Sequence, residues 1–333
     1  MSRRSAVRRA ARRVLPASLR DRLRPLLDRQ ARQWRAFRRT GQRFEPELAD
    51  FPPMVMLETT TRCNLECRHC PNHELAGEPG FLGDMDPELF RGLVDQIAAE
   101  APDTVVRPFD GGEPLMRRDL AELIAYARSS GLTRVGLNTN GTLLDERRRA
   151  ELIAAGLEQL EVSIDAARAE TYRRLRGADL DRVRENTQRY IAEARAAGLQ
   201  PRVTVSFVRQ PDNQAELDEF RAFWEPRCQG VLVREYHQHH GRTGASGAGP
   251  DRPAHRHPCP YLWNRLIVHH DGRVRFCEMD WTAEHALGHA AQQSLREIWR
   301  GPEYTRLRQQ HVAGRLESPF CRDCPDWPLV TWE

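Results

Sequence analysis

Cysteine thiolates are soft metal ligands, and seven of the eight cysteines in this 333-residue chain fall into two spaced groups. The first is Cys63-x3-Cys67-x2-Cys70. A tetrahedral zinc or a ferredoxin-type cubane takes four protein ligands. Three close cysteines can hold three corners of a [4Fe–4S] cube and leave one iron open to a substrate or cofactor. A zinc knuckle completed by His69 or His73 is the alternative reading. In the second group Cys259 and Cys277 flank Gly272, and Cys321-x2-Cys324 follows. Four thiolates can close on either Zn²⁺ or a [4Fe–4S] cluster, and spacing does not choose between them. Eight cysteines are too sparse for a disulfide scaffold. Metal ligation in a reducing compartment, the cytoplasm, is expected.

The 51 basic residues are all Arg. Without lysine, mechanisms that need a Schiff-base or P-loop lysine are excluded. The charge is unevenly placed. Residues 1–43 hold fifteen Arg against two acidic residues, Asp21 and Asp28, and the remainder is net acidic. A basic tail on an acidic body does not have the charge distribution of a nucleic-acid-binding protein. Val14, Leu19, Leu23, Leu26 and Leu27 give that tail the pattern of an Arg-rich helix. It reads as a solvated appendage, or as a surface helix for an anionic membrane or an acidic partner. No apolar run is long enough for a transmembrane helix, and no apolar segment of a signal peptide follows the basic start.

The elements that must carry the cysteines alternate strand and helix from 52 to 236. Strands are expected at Met54–Thr59, Thr104–Asp110, Arg134–Asn138, Gln159–Asp165, Arg202–Val208 and Val231–Glu235. Helices are expected at Pro87–Glu100, Asp119–Ser129, Glu146–Ala155, Asp181–Ala197 and Gln214–Trp224. Asp86 and Asp145 are their N-cap candidates, and Gly131, Gly156 and Gly198 their stops. Such alternation gives right-handed β-α-β units and a parallel sheet. Six strands imply a partial barrel or an open α/β sheet, with function at the carboxyl ends of the strands. Residues 237–258, rich in Gly, Pro and His, read as a linker loop. Residues 259–333 read as a small α+β unit: a hairpin, Arg265–His270 and Arg273–Cys277, turned at Asp271-Gly272, then a helix from Ser294 to about His311.

The segment from Glu58 through Thr59, Thr60, Thr61 and Arg62 to Cys63, Cys67 and Cys70 resembles the signature loop of the radical S-adenosylmethionine (SAM) enzymes. That family uses a partial (β/α)6 barrel, in agreement with the strand count. The resemblance implies that the open iron chelates the amino and carboxylate groups of SAM. Reductive cleavage then yields a 5′-deoxyadenosyl radical, which abstracts a substrate hydrogen, with the electron coming from a donor such as flavodoxin or ferredoxin. It also implies roles at successive strand ends. Gly111, Gly112, Glu113 and Pro114 match the motif that binds the SAM amino group. Asn138 falls where the ribose is contacted, Ser163 is the expected SAM contact on the fourth strand, and Arg176 matches an arginine on the SAM carboxylate. His69, at the usually aromatic site beside the third cysteine, is expected to pack near adenine.

Behind such a barrel, Cys259, Cys277, Cys321 and Cys324 resemble the C-terminal SPASM/Twitch extension. Because no cysteine follows Cys324, one auxiliary [4Fe–4S] cluster is expected. This pairing is similar to that of the aminocyclitol dehydrogenases, which oxidise a secondary alcohol to a ketone in two one-electron steps. The resemblance therefore implies a sugar- or cyclitol-like small-molecule substrate. His237 or Glu235 is the expected base, and Arg209, Arg234 and Asp280 further polar contacts. Epimerisation of a sugar carbon is the alternative and needs a hydrogen-atom donor. The one cysteine outside the two groups is Cys228, at the amino end of the sixth strand and so far from the expected chemistry. Peptide maturation, methylation and carbon–sulfur bond formation are further radical SAM alternatives. A zinc protein holding nucleic acid by its Arg tail is the rival outside enzymology.

Overall fold

In the computed structural model, residues 30, 32–41, 44–243 and 254–332 are described. Of the Arg-rich helix expected within residues 1–43, residues 1–29 lie outside them, as do residues 244–253 of the His-rich linker. Six parallel strands run in chain order: β1 (Met54–Leu57), β2 (Val105–Arg107), β3 (Gly136–Thr139), β4 (Gln159–Ser163), β5 (Arg202–Arg209) and β6 (Gly230–Glu235). Adjacent strands pair β1 with β2 and β3 through to β6, and a bridge between Val106 and Val135 joins the two groups. The result is an α/β fold built on a partial (β/α)6 barrel.

Helices α1 (Pro87–Glu100), α2 (Leu120–Ser129), α3 (Glu146–Ala154), α4 (Ala169–Arg176), α5 (Leu180–Ala196) and α6 (Leu217–Trp224) connect the strands. Strand alternation explains the packing. Leu160 and Val162 on β4, and Val203, Val205 and Phe207 on β5, are buried towards the helices, where Phe207 meets Phe220 edge-on at 5.0 Å. The intervening Glu161, Ser163 and Ser206 face the barrel interior. Asp86 and Asp145 cap α1 and α3 by accepting backbone N–H bonds, as expected. Helix α4 was not anticipated. Five of its eight residues are charged or polar around a narrow stripe of Tyr172 and Leu175.

The C-terminal hairpin, β7 (Leu266–Val268) and β8 (Arg273–Arg275), turns at Asp271-Gly272. Gly272 takes φ +93°, a left-handed conformation open to glycine at little cost. The hairpin is not detached from the barrel, because β7 pairs in parallel with β1 and so extends the same sheet. A short β9 (Gly288–His289) follows on β8. The single helix expected from Ser294 is two, α7 (Leu295–Arg300) and α8 (Pro302–Ala313). Ser294 and Glu297 form a capping box at its start. Pro302 then supplies no N–H, and Gly301 packs so closely that an added Cβ would lie 2.7 Å from the Glu297 carbonyl oxygen.

The segment before the barrel is not wholly an appendage. Residues 32–40 are helical. Trp34 and Phe37 are buried with Phe44 in a small aromatic core that also takes in Trp332, near the C-terminus. Among the described residues no helix is long and apolar enough to cross a membrane.

Candidate functional site

The first cysteine group occupies the loop leaving β1. Hydrogen bonds pin that loop: Asn72 Nδ2 donates to the carbonyls of Thr61 and Gly111, and Arg68 N to the carbonyl of Leu175 on α4. Asn64 bonds Asn140 and Thr142 beyond β3. Cys70 N donates to Cys67 O. Burial pushes the Cys63 thiol up to about 11 and Cys70 to about 12, and raises Cys67 too; mutual repulsion among the three adds to it. They are neutral at pH 7 unless a cation stabilises the thiolates, as an iron–sulfur cluster does. Among the described residues no three His, Cys, Asp or Glu side chains converge as the ligands of one ion. The ligands of a cubane bind different irons and need not converge on one point, so three cysteines on this loop fit a cluster with one open iron.

At the end of β2 the backbones of two loops touch. A Cβ on Gly112 would lie 2.4 Å from the Thr60 carbonyl oxygen, and one on Gly111 2.8 Å from Glu58 Oε1. Only glycine allows this approach. Glu113 follows and is buried; its carboxylate accepts from Leu115 N, Thr139 Oγ1 and Asn140 N, which locks the end of β3 to this loop. Pro114 opens a single buried turn. Asn138 and Ser163 are brought together, Ser163 Oγ donating to Asn138 Oδ1 at 3.1 Å, with Ser206 behind them.

Arg176 lies beside the cysteine loop, with Nη1 3.9 Å from Cys67 Sγ. Its principal partner is Asp165, a residue passed over in favour of Ser163 at the sequence level. Asp165 is fully buried in the left-handed region, at φ +67°. It also accepts from Val208 N at 2.7 Å and stands 3.3 Å from His69 Nε2. Burial lowers His69 to about 4, so the ring is neutral. His69 is thus tied to a carboxylate beside the third cysteine.

The second cysteine group lines one cavity. Cys259, Cys277, Cys321 and Cys324 share it with Tyr261, Phe276, Met279, Phe320, Trp327 and Val330. Burial raises all four thiols, Cys259 and Cys321 to about 12; neighbouring thiols raise Cys259, Cys277 and Cys321 further, and Asp326 raises Cys324. Met279 N donates to Cys277 Sγ. Arg256, His311 and Asp326 also line it, and four thiols facing one cavity fit a fully ligated cluster. Arg275, which is wholly buried, joins this region to the barrel: it donates to the carbonyls of Cys277 and Glu278 and pairs with Asp110 and Glu58 at the ends of β2 and β1.

His237 lines the same cavity, and burial pushes it below its ordinary value. Asp326 and Glu278 act on it in the opposite direction. Beyond His237, Arg107, Glu161 and Arg234 face the barrel interior, and Arg265 and Glu278 approach from the C-terminal unit. Of these only Arg234 is among the polar contacts expected from the sequence. Alternation with buried Leu160 and Val162 is the signal that would have found Glu161.

Other sequence candidates are held elsewhere. Glu235 is paired with Arg209 at 2.5 Å, and both side chains are exposed. The Asp280 carboxylate accepts from Glu284 N and His285 N and closes a turn. Cys228 lies at the amino end of β6, its thiol donating to Trp224 O at 3.2 Å. Nothing brings it to the barrel mouth.

A family model described as "Radical SAM superfamily" matches residues 57–223, and one described as "SPASM: Iron-sulfur cluster-binding domain" matches 259–325. Fe-coproporphyrin III synthase of Methanosarcina barkeri is 40% identical over 128 residues, 38% of this chain and 31% of that protein. A probable GTP 3′,8-cyclase of Methanosarcina mazei is 36% identical over 182 residues, 54% of this chain and 53% of the relative. The match therefore spans about a third to a half of these relatives' length. In fold, BtrN in complex with AdoMet and 2-DOIA aligns over 85% of this chain and 96% of its own, with TM-score 0.59 and 20% identity. Streptococcus suis SuiB bound to S-adenosylmethionine aligns over 85% and 72%, with TM-score 0.66 and 14% identity. The chain belongs to the radical SAM superfamily, whose SAM-binding [4Fe–4S] cluster it shares, and it carries a SPASM domain for auxiliary iron–sulfur chemistry.

Proposed function

We propose that this radical SAM enzyme is an oxidoreductase that converts a hydroxyl-bearing carbon of a sugar- or cyclitol-like small molecule to a ketone. In this reading Cys63, Cys67 and Cys70 hold the SAM-binding cluster, and Cys259, Cys277, Cys321 and Cys324 hold one auxiliary cluster. Gly111, Gly112, Glu113, Pro114, Asn138, Ser163, Arg176 and His69 shape the SAM site. The barrel occupies 52–236 and the auxiliary domain 259–333, and both family matches fall within these bounds.

When bound, SAM and its cluster supply hydrogen-atom abstraction, and the auxiliary cluster supplies a one-electron acceptor. The protein's own part is acid–base and positional. His237 takes the hydroxyl proton: burial keeps it neutral, and it lines the cavity of the four cysteines while its charged neighbours lie towards the barrel interior. That single placement carries the proposal, because it sets proton acceptor and electron acceptor side by side. The balance is one hydrogen atom to the 5′-deoxyadenosyl radical, one proton to His237 and one electron to the auxiliary cluster. A small redox protein such as flavodoxin or ferredoxin supplies the electron for SAM cleavage and reoxidises the auxiliary cluster, in a cytoplasmic setting.

The test uses a substrate deuterated at the target carbon. Deuterium should appear in 5′-deoxyadenosine, and the product should lack two hydrogens. With unlabelled substrate, a product that keeps its mass in H₂O but gains one deuteron in D₂O is that of an epimerase, and loss of that uptake in Cys228→Ala would give Cys228 the donor role its position argues against.

A further inference from the structure

We propose that the substrate carries an anionic group, carboxylate or phosphate, and that Arg107 at the end of β2 receives it. The inference rests on the reading that the barrel interior is the substrate site. Three guanidiniums and two carboxylates meet there. Glu161 is engaged by Arg234 through both oxygens, at 2.6 and 3.0 Å. Glu278 is paired with Arg265, whose guanidinium also lies over the Tyr261 ring. One cation is left over. Among the described residues Arg107 makes no side-chain hydrogen bond; Glu161 stands 3.9 Å away and the Phe109 ring lies beneath it.

Its setting is not that of a solvated surface arginine. Arg107 exposes 26% of its side chain and Arg234 45%, although both are hemmed in by protein on the concave face. Burial, reinforced by the charges of Arg234 and Arg265 and opposed by those of Glu161 and Glu278, pulls the Arg107 guanidinium below its ordinary value. A partly desolvated cation short of a partner is costly to hold unless a ligand completes it. The guanidinium fork matches carboxylate and phosphate oxygens two at a time. An ammonium group would instead meet three guanidiniums, with both carboxylates already engaged. An acidic or phosphorylated sugar or cyclitol fits this interior better than an amino-substituted one.

The experiment measures binding to cluster-loaded enzyme with SAM present, under anaerobic conditions. The probes are three matched sets: neutral and amino-bearing hexoses and cyclitols, hexuronates, and hexose and cyclitol phosphates. One anionic set should contain a member that binds at least tenfold tighter than its neutral parent, and the uronate and phosphate arms show which anion is meant. Arg107→Met should abolish that preference, and Arg107→Lys should restore part of it. Neutral or amino-bearing probes that bind as tightly as the anionic ones, no binding by any anionic probe, or a preference that survives in Arg107→Met would each overturn the proposal. The wild-type comparison stands even if a variant fails to load iron. Anion preference without deuterium transfer to 5′-deoxyadenosine would sink the oxidation and leave this inference intact. Transfer from a neutral probe with no anion preference would do the reverse.

Discussion

Arg176 grips Asp165 rather than standing free: its Nε lies 2.8 Å and its Nη2 2.5 Å from Asp165 Oδ2, with both side chains buried. The same carboxylate holds the β5 backbone at Val208 and faces His69 beside Cys70. A SAM carboxylate would therefore meet Arg176 already oriented by Asp165. Cutting one partner leaves the other as an unpaired buried charge, which costs about 3 kcal/mol or more. Arg176→Gln should lower stability in denaturant by about that much and weaken SAM binding. Asp165→Asn preserves shape but strands the Arg176 charge, so it should shift SAM affinity with a stability loss of similar size. Equal SAM affinity in both variants and the wild type would remove this pair from the SAM site.

Iron content tests the two cysteine groups separately. Two four-iron clusters require about eight iron atoms per chain, with matching sulfide. Replacing Cys63, Cys67 and Cys70 together by Ala should leave about half and abolish 5′-deoxyadenosine formation. Cys277→Ala should lose the other half. Zinc without sulfide in the anaerobically purified protein would defeat both assignments.

The histidines near the barrel mouth set a pH response. His239 accepts a hydrogen bond from Trp281 Nε1, and burial, helped by His237 and His69, pushes it down to about 3. An unfolded His titrates near 6.5. On acidification the unfolded chain therefore takes up the proton first, and folding is penalised. The stability linked to neutral His239 is complete above about pH 6.5 and declines as pH falls from there towards 3. Denaturant midpoints measured at pH 7.5 and 5.5 should fall more for the wild type than for His239→Gln. An equal fall in both would show that His239 charges freely in the folded state.

The parts of the site legible in the sequence are those governed by local rules. Strand runs followed by Gly111-Gly112 or by Asn140-Gly141 place motifs at strand ends because turn chemistry is local. Asp86 and Asp145 read as caps for the same reason. What could not be read depends on partners distant in the chain. Nothing in Val55 through Leu57 announces that β7, some 210 residues later, will pair beside it. Arg107 and Glu161 look like ordinary charges until curvature of the sheet turns them inward beside Arg234. The Gly301-Pro302 break falls inside a pattern that is helical on both sides, so periodicity alone runs the two helices together.

Distance in the chain also hid the role of the residues just before the barrel, and this gives the last prediction. Trp34 meets Phe37, Phe44 and the edge of His257, and His257 in turn packs on Trp327 at 5.4 Å. Trp327 lines the cavity of Cys259, Cys277, Cys321 and Cys324. On the other side, Phe44 abuts Trp332, whose Nε1 donates to Pro258 O, next to Cys259. The helix at 32–40 therefore clamps both the chain end and the segment leading into Cys259 over the auxiliary site. Truncating a buried aromatic costs about 3–5 kcal/mol, which Trp34→Ala should withdraw from this clamp. Deletion of residues 1–29 should leave iron content unchanged. Deletion through residue 44, or Trp34→Ala in the full chain, should speed loss of about half the iron in air and spare the other half. Iron loss that is equally slow in all three proteins would return the whole segment to the role of an appendage.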